Sequence, residues 1–152
     1  MKNLYKKGIT IIELLVVLAV LGIIFSVVIP QFSKMRENQV LKSGVSDTLS
    51  SIDKARGETL ASLNSSSYGV HFQSDKVIIF KGTDFSTRDT TKDETISIAT
   101  PAIISSGTLT LPVDIYFNRL SGSPSKTGTI TISTPVYSKI ITISATGVAS
   151  VD

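Results

Sequence analysis

Glu13 is the one charged residue in an otherwise apolar run over residues 9–29, and its place there is the clearest chemical signal in the chain. A carboxylate in a membrane-compatible helix costs about 2.5–3.5 kcal/mol at the helix centre on insertion scales, so it needs a partner or an exit. The local answer is that Glu13, one turn from the start of the run, reaches the interface and meets the positive end of the helix. The other answer needs a cut between Gly8 and Ile9. Cleavage there creates an α-ammonium on Ile9 and makes Glu13 the fifth residue of the new chain. The N-terminus of a neighbouring copy then supplies the buried cation, and the pair sets the register of one helix against the next.

Other residues carry less chemistry. His71 is the single histidine and has no cysteine or glutamate at ligand spacing, so it reads as a surface or structural residue. Asp84, Asp89, Asp93 and Glu94 supply oxygen ligands of the kind calcium takes. Their spacing matches no EF-hand loop, and Arg88 and Lys92 are interspersed, which reads as a solvated loop. Serines are numerous, but none lies in a Gly-x-Ser-x-Gly elbow or beside a general base. Ser43-Gly44 and Gly128-Thr129 lack the lysine context of a phosphate loop. With no cysteine, the chain has no disulfides, thiolate metal sites or cysteine nucleophile. No metal, cofactor, small-molecule substrate or enzymatic activity is expected.

The formal charge of +3 resides in Lys2, Lys6 and Lys7. Without residues 1–8 the chain holds as many acidic as basic residues, so it has no overall basic footprint for nucleic acid.

These residues must be positioned by two kinds of element. Residues 9–29, with only Thr10, Glu13 and Ser26 polar, form a helix long enough to span about 30 Å, a bilayer core. The basic residues ahead of it predict a cytoplasmic N-terminus and an exported remainder. The apolar run ends at Pro30-Gln31 without the small-residue cleavage site of a secretory signal. Pro30 lacks an N–H and crowds the preceding turn, which predicts a kink or local unwinding. Beyond it the helix is amphipathic over residues 30–63. Leu41, Val45, Leu49, Ile52, Ala55 and Thr59 fall on one face, and only this half can pack on a soluble domain. Gly44 and Gly57 weaken it by up to about 1 kcal/mol each relative to alanine. Asn64 to Ser67 end it.

From Tyr68 the period changes to two. Residues 68–72 and 76–81 predict a hairpin turning at Ser74-Asp75, followed by a polar loop over 82–93. Further strands are expected at 94–100, 108–111, 113–118, 127–133 and 136–146, with prolines at their boundaries. The fold class is α+β: one long N-terminal helix and a C-terminal antiparallel sheet domain of six to seven strands over residues 64–152.

The stretch Lys6-Lys7-Gly8-Ile9-Thr10-Ile11-Ile12-Glu13-Leu14-Leu15-Val16-Val17-Leu18 resembles the class III signal of type IV pilins and type II secretion pseudopilins. The resemblance implies removal of residues 1–8 after Gly8 by a prepilin peptidase, N-methylation of Ile9, and Glu13 as the assembly carboxylate. Ile9 stands where phenylalanine is usual, an accepted variant, and Pro30 matches a helix-kinking proline common in that family. It also implies a pilin-like fold, storage in the inner membrane, and partners that are other pilins met through the N-terminal helix. The domain is similar to the GspH/FimT minor pilin and pseudopilin subgroup through Tyr68-Gly-Val-His-Phe72, through Phe117-Asn-Arg-Leu-Ser-Gly122, and through Ile141-Thr-Ile-Ser-Ala-Thr-Gly147. Some relatives bind DNA through arginines near the C-terminus. Residues 147–152 contain none, so binding of nucleic acid is not expected. A minor pilin or pseudopilin is the reading. A major pilin, a DNA-uptake minor pilin and an anchored module that never polymerises are the alternatives, with a membrane-tethered enzyme last.

Overall fold

The computed structural model describes residues 8–152, so most of the expected leader, residues 1–7, lies outside the described residues. One helix, α1 (Ile11–Leu60), precedes eight strands: β1 (Tyr68–Phe72), β2 (Lys76–Lys81), β3 (Glu94–Ser97), β4 (Ile103–Ser106), β5 (Val113–Tyr116), β6 (Gly128–Ser133), β7 (Ser138–Ile143) and β8 (Ala149–Val151). The expected α+β order, a long N-terminal helix packed on antiparallel sheet structure, is present. The strands number eight and form two antiparallel sheets, β3-β2-β1-β5 and β4-β6-β7-β8, where one sheet domain of six or seven was expected. The chain divides into two compact units, one ending at Arg36 and one running from Glu37 to Asp152.

In the first unit every described side chain from Gly8 to Arg36 is exposed, including the apolar ones. Pro30 lies inside α1. Having no N–H, it leaves the carbonyl of Ser26, four residues earlier, without its helical donor. The Ser26 hydroxyl donates to the Ile23 carbonyl at 2.8 Å.

In the second unit the buried stripe of α1 is Leu41, Gly44, Thr48, Ser51, Ile52, Ala55 and Thr59. It runs one position off the expected apolar stripe, leaving Val45 and Leu49 half-buried. Small residues form its centre, so the helix backbone comes close to the sheets. The hydroxyls do not arrive unpaired. Thr48 donates to the Gly44 carbonyl at 2.7 Å, Ser51 to Asp47 at 2.7 Å and Thr59 to Ala55 at 2.8 Å. Thr59 Oγ1 also accepts the Tyr68 N–H at 2.9 Å, tying the helix end to the start of β1.

Gly44 therefore sits at a helix–sheet contact. A Cβ placed there would lie 3.5 Å from Ile98 Cγ2 and 3.7 Å from Ile132 Cγ2, ordinary van der Waals distances. Gly44→Ala is expected to raise stability by up to about 1 kcal/mol, because helix propensity improves without a clash. A lower thermal midpoint in that variant would show that the contact is tighter than these distances.

The helix ends at Leu60, a few residues before the expected stop. Ser62, Asn64 and Ser65 all take left-handed backbone angles, which turn the chain toward β1. The hairpin is as expected: Phe72 pairs with Val77, and the Gln73 N–H donates to the Lys76 carbonyl at 3.0 Å around Ser74-Asp75. Residues 108–111, expected as a strand, are not one. Thr108 and Thr129 exchange hydroxyl bonds with each other's N–H groups at 3.0 and 2.7 Å instead of a regular ladder. The place beside β6 goes to β4 (Ile103–Ser106), which periodicity missed because Ile103-Ile104-Ser105-Ser106 does not alternate. Of residues 136–146, expected as one strand, 138–143 form β7; a turn with Gly147 at φ 81 then leads into β8, a strand beyond the expected range.

The polar loop over 82–93 is more than a solvated connection. Its one aromatic, Phe85, stacks on His71 with ring centroids 3.7 Å apart, and the Arg88 guanidinium lies 3.4 Å from the centre of the Phe85 ring. Arg88 Nε donates to Asp93 Oδ2 at 2.7 Å. His71 is buried, with Nδ1 against Asp114 and Nε2 at 2.9 Å from Gln73 Nε2, so its role is structural and not that of a surface residue. Both faces of β1 are covered in consequence.

Candidate processing and assembly site

Thr10 caps the long helix. Its carbonyl accepts the Leu14 N–H at 3.1 Å, and its hydroxyl accepts the Glu13 N–H at 3.3 Å, satisfying one donor that the first turn would leave open. Thr10-Ile-Ile-Glu13 has the composition of a capping box, a signal that was readable in the sequence, where Thr10 counted only as a polar interruption. Such a cap is worth about 1 kcal/mol. It also fixes where regular structure begins, so Gly8 and Ile9 stay outside the helix and exposed.

The Gly8–Ile9 pair, where cleavage is expected, therefore lies directly ahead of the helix. Among the described residues a Cβ on Gly8 would meet nothing within 4 Å, so their packing does not require glycine there. Glu13 lies in the first turn and is exposed, and among the described residues its carboxylate has no ion-pair or hydrogen-bond partner. The first-turn N–H groups give this end a partial positive charge, which favours the carboxylate. From Ile11 on, apolar side chains cover the helix on all sides, with Ile11 82%, Ile23 68% and Ile29 63% exposed. Such a surface suits a bilayer or a bundle of like helices, not water. Pro30, the fourth singled-out residue, closes this segment on the same helix.

Residues 3–29 match the prokaryotic N-terminal methylation motif. The motif takes in Gly8, Ile9 and Glu13 together and marks a type IV pilin-like signal. It points to a processed structural subunit, with prepilin peptidase processing and assembly with other pilins implied. Its apolar helix fits membrane anchoring. Residues 30–152 lie outside the match. No curated protein and no solved structure matches the chain.

The remaining candidates resolve into structure. Asp84 accepts the Ser86 N–H at 2.8 Å, and Asp89 accepts both the N–H and the hydroxyl of Thr91, at 3.0 and 2.6 Å. The Thr91 hydroxyl, then its N–H, hold the Asp89 carboxyl below the ordinary carboxylate range. Glu94 pairs with Lys54, which raises the lysine above its usual value. These acids are thus occupied locally, and among the described residues no cluster of His, Asp and Glu is placed to hold a metal. The two stretches singled out in the C-terminal half do meet. Arg56 Nε donates to the Gly122 carbonyl at 3.3 Å, and a Cβ on Gly147 would come within 2.2 Å of that same oxygen.

Proposed function

We propose that this chain is a minor pilin or pseudopilin, a structural subunit of a type IV pilus or type II secretion pseudopilus. In this reading prepilin peptidase cuts after Gly8, Ile9 becomes the methylated N-terminus, and Glu13 receives the α-ammonium of a neighbouring subunit. The chain waits in the inner membrane with its N-terminus cytoplasmic and its β-rich domain outside, as the leader lysines favour. Pro30 serves as the bend that lets the apolar half follow its neighbours, consistent with the donorless Ser26 carbonyl.

The observation that carries the proposal is the methylation motif falling on an exposed Gly8–Ile9 bond directly ahead of a capped apolar helix. The GspH/FimT subgroup belongs to the same proposal. It is supported by Tyr68-Gly-Val-His-Phe72 forming β1 and by the packing of Gly122 against Gly147. Mass spectrometry of the N-terminal peptide from membrane-purified protein tests the chemistry. The expected product begins at methylated Ile9; a peptide that retains Met1 or Lys7 refutes processing.

A further inference from the structure

The unit from Glu37 to Asp152 has an apolar surface of its own. A groove of about 460 Å³ lies between α1 and the start of β7, lined by Val45, Leu49, Tyr137 and Val151 together with Lys42 and Lys139. Its lining includes no acidic side chain. A smaller cleft of about 130 Å³ lies between α1 and β3, lined by Asp47, Ser50, Lys54, Glu94 and Ile96. At 3.6 residues per turn, Lys42, Val45 and Leu49 fall on one flank of the helix and Asp47, Ser50 and Lys54 on the opposite one. Lys54 is paired with Glu94, which leaves Asp47 as uncompensated charge on that flank. Each flank also borders an outermost strand, β8 beside the groove and β3 beside the cleft.

We propose that the groove receives the Asp47–Ile96 flank of a second copy of this chain. Apolar Ile96, half-buried in one copy, finishes its burial against Val45 and Leu49 of the next. Lys42 and Lys139 meet the acidic flank, a complementarity that a groove-to-groove contact lacks, because that arrangement opposes lysine to lysine. The contact is head to tail, so each copy leaves one flank open for another and the array continues where a two-fold contact would close it. This inference rests on the polymerising subunit proposed above. Among those roles it favours one in which like subunits sit side by side.

The chain has no cysteine, so engineered ones report without background. Ser138→Cys in the groove and Ser50→Cys on the other flank are near-isosteric changes at exposed positions. Oxidation of assembled full-length mature protein carrying both should give a ladder of dimers, trimers and longer species, and either variant alone should stay monomeric. Lys139→Glu should abolish the ladder, and adding Asp47→Lys should restore it. A dimer from Ser138→Cys alone would mean a two-fold contact and overturn the proposal. Fibres without a ladder would overturn it too while leaving the polymerising subunit standing. Neither fibres nor ladder would sink both readings.

Discussion

Replacing Gly8 with alanine or a bulkier residue is expected to leave the protein at precursor length, with the mature form reduced at least about tenfold. That loss corresponds to about 1.4 kcal/mol of transition-state binding in the peptidase. The expectation is sharp because the fold places no demand of its own on this position. Among the described residues a Cβ at Gly8 would touch nothing, and the helix begins only after the Thr10 cap. Any processing defect must then arise where the peptidase holds the chain, not from misfolding of the substrate. Intact mass and electrophoretic mobility of the membrane fraction measure it, and wild-type levels of mature protein would end the processing proposal.

Glu13→Ala should behave in the opposite way, with cleavage intact and assembly lost. Removing the carboxylate makes the apolar segment easier to insert, since a charge there costs about 2.5–3.5 kcal/mol at the helix centre. Membrane retention should not suffer, and the scissile bond four residues upstream is untouched. In the fibre the effect reverses. An α-ammonium buried beside a neighbour and deprived of its counter-charge costs about 3–5 kcal/mol, enough to lower incorporation about a hundredfold or more. Quantifying mature protein in membranes and in sheared fibres separates the two steps. Fibres formed by the alanine variant at normal yield would remove the assembly role from Glu13.

How much of this was legible in advance depends on the kind of signal. The helix, the hairpin from Tyr68 to Lys81 and the Gly8–Glu13 constellation rest on local patterns, and a local pattern survives whatever the rest of the chain does. The failures came where tertiary partners decide. Local pattern leaves His71 open between a surface and a structural residue; burial under Phe85, fourteen residues later, makes it the second. Val45 and Leu49 look like core, yet Gly44, Thr48 and Ser51 take that place because close approach of helix and sheet favours small side chains. The pairing of β4 with β6 spans a long connection, and no periodicity within Ile103–Ser106 announces it. Thr10 is different in kind: its capping partner is three residues away, and the Thr-x-x-Glu signal was there to be read.

The exposed apolar surface of residues 11–29 has one more consequence. In the membrane-stored state proposed above, copies held in a bilayer by that surface would share a plane and all point the same way. Their meeting is then a search in two dimensions, not three, and the local concentration of partners rises without any new contact, as it does for tethered binding modules. Antiparallel pairings are excluded before any side chain is tested. Any assembly drawn from such a pool would begin with its subunits parallel, so in the proposed reading the polarity of a filament is set by storage before the subunit interface acts.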